Sequence, residues 1–288
     1  MKYFVTVVAV CVIYCVSLFA NTTGKEVFLT ILARNKEHIL PTYLSSIEGL
    51  DYDKKLITVY INTNNNDDNT ERLLSNWAKE HEGLYKKIIF ESHEVANLSY
   101  GTPHEWTEDR LQTLARIRNK SLQIAKESGA DFYFIVDCDN FPIPSTLSDL
   151  VAKNLPIVAP MLRSIPNLEN FSSNYFAAVT DTGFYEDVPE YYEILLRKKV
   201  GTFKVPLVHC TYLIRKEYLD LLSYTDDTDD YEFIIFSRIA RQEGIGQYIC
   251  NEKIYGYNID FERKISLEEE QKLFPEVIPR IQELCATG

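Results

Sequence analysis

The chain has 288 residues, of which 45% are hydrophobic and 25% are charged, with 11 Gly and 11 Pro. These proportions are typical of a globular protein and exclude collagen-like, disordered and disulfide-scaffold chains. The 42 acidic residues outnumber the 30 basic ones and give a net charge of −12. This excess argues against a nucleic-acid partner, because contacts with phosphates require clustered cations.

The first twenty residues have the pattern of a secretory signal peptide. Lys2 precedes an apolar stretch from Tyr3 to Ala20, with small residues near its end. We expect cleavage after Ser17 or Ala20, and an uncleaved signal anchor is the alternative because the stretch reaches roughly 17 residues, the lower limit for spanning a bilayer. The rest of the chain would then enter the endoplasmic reticulum, where either one disulfide or only buried free thiols would fit its four widely spaced cysteines. Glycosylation sequons lie at Asn21, Asn97, Asn119 and Asn170.

Hydrophobic patterning predicts alternating strands and helices. The first half is predicted to contain strands at 26–33, 55–61, 86–90 and 131–136, and helices at 37–50, 70–82 and 106–128. The second half is predicted to contain strands at 157–161, 208–214 and 246–250, and helices near 216–222, 230–242 and 266–285. This order is typical of an α/β fold with a doubly wound, mainly parallel sheet and helices on both faces. We expect a signal peptide (1–20), one domain (21–265) and a C-terminal amphipathic helix or tail (266–288).

Polar residues follow three of the predicted strands, at the edge where open α/β sheets bind their ligands. Arg34 follows the first strand, an Asn/Asp run at 62–69 follows the second, and Asp137 and Asp139 follow the strand at 131–136. Two carboxylates held so close would repel each other unless a cation joined them. We therefore expect Mn²⁺ or Mg²⁺, shared with a diphosphate. The alternatives are that Asp137 binds a ribose hydroxyl while Asp139 alone holds the metal, or that the pair merely caps a loop.

Six segments connect this pattern with a known family. The Asp137-Cys138-Asp139 motif resembles that of the GT-A glycosyltransferases, which hold a sugar nucleotide through a metal. Together the segments resemble the N-terminal domain of the procollagen galactosyltransferases of glycosyltransferase family 25. They are ILARNKEHILPTYLSSIEGLDY (31–52), NNNDDNT (64–70), DFYFIVDCDNF (131–141), PIVAPML (156–162), PLVHCTYLI (206–214) and ARQEGIGQYICN (240–251).

The resemblance implies a GT-A fold and transfer of galactose from UDP-galactose to hydroxylysine of a collagen-like protein. It implies Mn²⁺ as cofactor and the lumen of the endoplasmic reticulum as the location. The resembled enzymes carry a second glycosyltransferase domain and a C-terminal retention tetrapeptide, and this sequence shows neither after residue 265. Secretion and a partnership with a second glycosyltransferase subunit are therefore further expectations.

Several donor-binding roles follow from the same resemblance. Arg34 would contact the nucleotide, with a surface position over a helix end as the alternative. Asn64 stands where related enzymes have an Asp that binds the uracil or ribose, and its amide can still bond to those groups. Arg118 resembles the Arg that faces the diphosphate, and an exposed helix Arg is the alternative. Asp137 would contribute to binding both the nucleotide and the metal.

The remaining predictions are a third metal ligand and the base of the transfer reaction. His209 would be a third metal ligand, or else a core histidine. Glu232 is the candidate base that accepts the proton of the acceptor hydroxyl, with Asp230 behind it. The family has Phe-Asp-Asp here, whereas this chain has Tyr231 and Glu232 with one residue fewer. The alternative is a solvated acidic helix start, which the helix dipole favours.

Two functions follow from these residues. Asp137 and Asp139 favour an active, metal-dependent transferase. Asn64, Tyr231 and the missing second domain favour a catalytically inactive protein of the same fold that is secreted and acts as a binding partner.

Overall fold

The computed structural model describes residues 24–96, 107–165, 172–259 and 266–286. The predicted signal peptide and the sequons at Asn21, Asn97 and Asn170 lie outside these residues. Within the described ranges, none of the helices combines the length and the apolar character needed to cross a membrane.

Strands and helices alternate along the first half of the chain, as predicted. The strands are β1 (Val27–Ala33), β2 (Ile57–Asn64), β3 (Lys87–His93), β4 (Phe132–Val136), β5 (Asn140–Pro142), β6 (Ile157–Pro160), β7 (Leu162–Ile165), β8 (Tyr175–Phe176), β9 (Ala178–Val179), β10 (Tyr185–Glu186), β11 (Thr202–Val205), β12 (Leu207–Val208), β13 (Thr211–Arg215), β14 (Gln247–Cys250) and β15 (Gly256–Ile259). The α-helices are α1 (Leu40–Glu48), α2 (Thr70–Glu80), α3 (Glu108–Ser128), α4 (Thr146–Lys153), α5 (Pro189–Leu195), α6 (Glu232–Gln242) and α7 (Leu267–Ala286). Two segments, Lys54–Leu56 and Lys216–Leu221, form 3₁₀ helices.

One predicted strand is divided. The segment 208–214 was expected to be continuous, but β12 ends at Val208 and β13 begins at Thr211. Between them Cys210 has φ of +62°, a left-handed conformation that a strand cannot contain. The break changes the direction of the chain directly beside the end of β4, where the Cys210 carbonyl accepts a hydrogen bond from the Asp137 N–H (3.2 Å).

The central sheet has eight strands in the order β11-β14-β6-β13-β4-β1-β2-β3. Strands β4, β1, β2 and β3 are parallel to one another, and β6 is parallel to β14. Strand β13 is antiparallel to both β4 and β6, and β11 is antiparallel to β14. The prediction of a mainly parallel sheet is therefore confirmed.

Helices cover both faces of this sheet. Along β1, Leu29 packs into a core that includes residues of α1, α2, α4 and α7, whereas Phe28 packs into a core with residues of α3, α5 and α6. Successive side chains of a strand point to opposite faces, so both sets must be apolar when both faces are covered. All eight residues of β2 are buried, including the polar residues Asn62, Thr63 and Asn64 at its carboxyl end.

The C-terminal helix α7 is part of the first core. Phe274, Val277 and Ile281 lie on one stripe of the helix and are buried. The helix packs against α1, β5 and β15, and β15 pairs with β5, the strand that begins one residue after Asp139. Helix α7 thus lies behind the polar edge that the sequence analysis identified.

Replacing Phe274 with Ala should lower the free energy of unfolding by about 3–5 kcal/mol, because the change leaves a cavity in a core. The matched control is Leu273→Ala on the same helix, where the side chain is 44% exposed. It should change stability by no more than about 0.5 kcal/mol. Urea unfolding followed by circular dichroism measures both, and equal effects would contradict the packing of α7 into the core.

Candidate functional site

Backbone hydrogen bonds fix the turn that carries the two predicted metal-binding carboxylates. Asp137 directly follows β4, and its carbonyl accepts a hydrogen bond from the Asn140 N–H (2.9 Å). The Asp139 carbonyl accepts one from the Ile259 N–H at the end of β15 (3.0 Å). The turn is therefore tied both within itself and to the neighbouring small sheet, which holds the two carboxylates at the carboxyl edge of β4.

Arg118 on α3 joins two carboxylates of the site. Its Nη2 lies 3.0 Å from both carboxylate oxygens of Asp137, and its Nε lies 3.5 Å from Oε1 of Glu232. Burial lowers the pKa of the Arg118 guanidinium, but Asp137 and Glu232 outweigh this effect and raise it well above its usual value. The side chain is only 5% exposed, so the alternative of an exposed helix arginine is wrong.

Glu232 is the first residue of α6 and lies in the same network. Its side chain is buried, and burial together with repulsion from Asp137 raises its pKa, although Arg118 opposes the shift. The alternative of a solvated acidic helix start is therefore wrong for Glu232. Asp230 has different partners, because its Oδ2 accepts hydrogen bonds from Arg238 Nη1 (2.8 Å) and Thr228 Oγ1 (3.1 Å).

Asp139 has an environment suited to a cation. Burial raises the pKa of its carboxyl group to about 6, nearby Lys36 opposes this rise and Asp137 adds to it. No other side chain of the described ranges donates a hydrogen bond to its carboxylate. The carboxylate is half-buried and is bonded only by its own backbone N–H, so it has acceptor capacity left for a ligand, and hard oxygen donors suit Mg²⁺ or Mn²⁺.

His209 packs between aromatic rings. The ring centroids of Phe176 and Phe233 lie 5.7 Å and 5.3 Å from that of the imidazole, and Nδ1 lies 2.8 Å from Cys210 Sγ. Burial lowers the pKa of His209 to about 4, which the Ser173 backbone offsets only in part, so the ring is neutral. Among the residues described, no three His, Cys, Asp or Glu side chains form a group that could hold a metal. A third ligand from His209 therefore stays a prediction.

Arg34 and Asn64 lie at the ends of β1 and β2 and meet at one loop residue. Arg34 Nε donates to the Asn65 carbonyl (3.2 Å), and Asn64 Nδ2 donates to the Asn65 side-chain oxygen (2.9 Å). Asn65 has φ of +45° and also donates to Glu94 Oε2 (2.9 Å). The structure thus brings both residues to the same edge as Asp137, and their nucleotide contacts stay predictions.

Three residues of this edge were not predicted from the sequence. Lys36 Nζ lies 3.2 Å from Oε1 of Glu270, and His38 Nε2 lies 2.8 Å from the same oxygen. Glu270 is fully buried on α7. It precedes Phe274 by four residues and Val277 by seven, so it stands on the apolar stripe of the helix. A charged residue on a buried stripe was the signal that could have identified it.

The four cysteines after the predicted signal peptide and the sequon at Asn119 lie within the described residues. Cys138, Cys210, Cys250 and Cys285 are free, so the alternative of one disulfide among them is wrong. Asn119 lies on α3, as expected, where its Nδ2 donates to Thr225 Oγ1 (2.9 Å).

Comparison with solved structures identifies the class of fold. GalNAc-T7, solved with UDP, GalNAc and Mn²⁺, matches with a TM-score of 0.57 at 16% identity over 82% of this chain and 44% of that one. TarS 1-349 of S. aureus in complex with UDP-GlcNAc matches with a TM-score of 0.54 at 15% identity over 88% of this chain and 65% of that one. These likenesses confirm the predicted fold, which is that of the GT-A glycosyltransferases.

Sequence comparison identifies the family. Residues 24–277 match the family model described as "Glycosyltransferase family 25, N-terminal domain". Procollagen galactosyltransferase 2 of Mus musculus is 36% identical over 242 residues, which are 80% of this chain and 38% of that protein. Inactive glycosyltransferase 25 family member 3 of Mus musculus is 34% identical over 268 residues, which are 89% of this chain and 44% of that protein. The chain belongs to glycosyltransferase family 25, and it spans less than half the length of these curated relatives.

Replacing Arg118 with Met should lower the free energy of unfolding by about 3–5 kcal/mol, because it leaves the buried Glu232 and the half-buried Asp137 without their cation. The double variant Arg118→Met/Glu232→Gln should recover part of this loss, since one of those charges is then absent. Arg116→Met, at an exposed position of the same helix, is the control. Chemical denaturation measures these proteins together with the wild type and the single variant Glu232→Gln, and strictly additive effects of the two site substitutions would contradict the Arg118–Glu232 interaction.

Proposed function

We propose that this chain is a metal-dependent glycosyltransferase that transfers galactose from UDP-galactose to hydroxylysine of collagen-like proteins in the lumen of the endoplasmic reticulum. One observation carries the proposal. The buried Arg118 side chain holds Asp137 and Glu232 together at the carboxyl edge of β4, beside the carboxylate of Asp139, which no side chain of the described residues bonds. A metal-binding pair and a candidate base thus lie within one site.

The donor half of the proposal rests on the oxygen ligands at this edge. Asp137 and Asp139 would hold Mn²⁺ or Mg²⁺, with the other ligands from the donor diphosphate and water. When bound, the ion would neutralise the charge that develops on the leaving diphosphate. The solved neighbours that carry UDP-GlcNAc, or UDP with Mn²⁺, support a nucleotide-sugar donor. Arg34 and Asn64 lie where the nucleoside would approach.

Glu232 is the proposed base. Its raised pKa makes it a better proton acceptor than an ordinary carboxylate, while Arg118 favours the ionised form that the reaction requires. The acceptor hydroxyl would pass its proton to Glu232 as its oxygen forms a bond to the sugar carbon. The bond from that carbon to the diphosphate would break, and UDP would leave with the bonding electrons. Asp230 is paired with Arg238, so in this proposal it does not accept the proton. It helps to hold the loop that precedes Glu232 and α6.

The acceptor is proposed from two observations. Procollagen galactosyltransferases are among the relatives, at 36% identity. The chain's net charge of −12 also suits a basic acceptor, because complementary charges speed encounter and favour the right partner.

A second candidate function is that of an inactive binding protein with the same fold. The similarity to relatives named inactive, at 34% identity over 268 residues, favours it. So does the presence of Tyr231 and Glu232 where the resembled galactosyltransferases have Phe-Asp-Asp.

An activity assay tests the first candidate function against the second. The mature protein is incubated with Mn²⁺, labelled UDP-galactose or UDP-glucose, and a hydroxylysine peptide. We expect galactose transfer by the wild type, and a loss of at least about 100-fold in kcat for Glu232→Gln with little change in the KM for donor, because only proton transfer is removed.

The Asp139→Ala variant is the control for the metal site, and it should be inactive. Equal transfer by wild type and Asp139→Ala would contradict the metal-dependent mechanism. UDP binding by the wild type without transfer to any acceptor would favour the inactive candidate.

A further inference from the structure

Lys36 is a second cation at the polar edge, and it comes from a different element than Arg118. It lies three residues after the end of β1, and its side chain is 19% exposed. Its backbone N–H donates to Thr70 Oγ1 (2.6 Å), which fixes the main chain at this point. The position of the ammonium group is set by Glu270 of α7, at 3.2 Å.

Glu270 is itself fixed from several sides. It has no exposed surface, and Oε1 also bonds with His38 Nε2 at 2.8 Å. The His38 ring packs edge-on against Phe274, with centroids 5.7 Å apart. A buried carboxylate is costly unless it is paired, so this pairing holds both the helix and the lysine in place.

The Lys36 ammonium has donors to spare. An ammonium group carries three N–H donors, and within the described residues Glu270 is its one hydrogen-bond acceptor. Burial lowers the pKa of Lys36, but Asp139 and Glu270 together outweigh burial and raise it, so the group remains charged. A largely buried cation with unused donors is ready to bind an anion.

The topology places this cation beside the carboxylate pair. Strands β1 and β4 are adjacent and parallel, so their carboxyl ends lie side by side. Cys138, between the two aspartates, donates from Sγ to the Leu32 carbonyl of β1 (3.3 Å). Arg118, on the other side of Asp137, is hydrogen-bonded to it through Nη2, and its Nε and Nη1 have no hydrogen-bond partner within the described residues.

We propose that Lys36 binds the diphosphate of the donor nucleotide, and that Glu270 is the positioning residue that holds its ammonium group in place. The inference rests on the proposed function, in which the donor is a nucleoside diphosphate sugar. A lysine recognises phosphate as a compact point charge, which suits a diphosphate held between it and a cation on Asp139. Helix α7 is then a structural part of the donor site.

The test compares UDP with uridine, because only UDP contains the diphosphate. Isothermal titration calorimetry with the full chain and saturating Mn²⁺ gives both affinities. Lys36→Met should weaken UDP binding about tenfold or more, as expected for a lost charged hydrogen bond, and leave uridine binding unchanged. Lys36→Arg should retain most of the UDP affinity, and Lys79→Met, at an exposed position on α2, should bind UDP like the wild type.

The positioning role of Glu270 has its own readout. Glu270→Ala should lower the UDP affinity but not the uridine affinity. Glu270→Gln should restore most of it, since the amide oxygen can still accept a hydrogen bond from Lys36. A purely structural role would move both affinities together.

The outcomes separate this inference from the proposed function. A wild-type protein that binds no UDP would overturn both. UDP binding that is equal or tighter in Lys36→Met would overturn the role of Lys36 alone and leave the proposed function standing. If Lys36→Met fails to fold, Lys36→Gln replaces it, because its amide can still donate to Glu270. Lys36→Gln should also weaken UDP binding and leave uridine binding unchanged, and unchanged UDP binding would again overturn the role of Lys36.

Discussion

The repulsion between two carboxylates at the end of a buried strand is the constraint on which this structure depends. All five residues of β4 are buried, and Asp137 and Asp139 follow within three positions of its end. Like charges this close raise each other's free energy, and the low-dielectric surroundings increase the cost. Burial, and to a smaller extent repulsion from Asp137, raises the pKa of Asp139 to about 6.

Two cations from elements that are distant in sequence offset this repulsion. Arg118 approaches Asp137 from α3 on one face of the sheet, and Lys36 approaches Asp139 from the loop after β1. Each cation is in turn shared with a second buried carboxylate, Glu232 for Arg118 and Glu270 for Lys36. The starts of helices α6 and α7 are thereby fastened to the same edge of the sheet.

The sequence predicts the elements of this edge better than their interactions. Strand β4 and the two aspartates after it were predictable, because an apolar run followed by polar residues is a local signal. The resemblance to the family predicted Arg118 and Asp137 as residues of one donor site, although it did not predict the ion pair between them. The pairing of Arg118 with Glu232 could not be derived, because it depends on how α6 packs against α3.

Glu270 shows the limit of local patterns most clearly. Three consecutive glutamates, Glu268 to Glu270, open the helix and read as a solvated acidic start. Only Glu270 faces the core, and its partner Lys36 is 234 positions away in the chain. Helical periodicity could have placed Glu270 on the buried stripe with Phe274. No local pattern, however, predicts that a cation pairs with it there. Long-range charge pairs depend on tertiary packing, which single-sequence patterns do not contain.

The charges of the edge also give a physical reason for metal dependence in the proposed function. Asp137, Asp139, Glu232 and Glu270 are four carboxylates, and Arg118 and Lys36 are two cations, so the formal charge is −2 when all are ionised. A diphosphate that approached this edge alone would meet net repulsion in a poorly screened site. A divalent cation cancels that charge, and the remaining N–H donors of Lys36 can then bind the diphosphate without net repulsion. Arg118 and Lys36 thus reduce the repulsion between Asp137 and Asp139 in the folded chain, but a formal charge of −2 remains at the edge. In the proposed function, the divalent cation supplies the two positive charges that nucleotide binding requires.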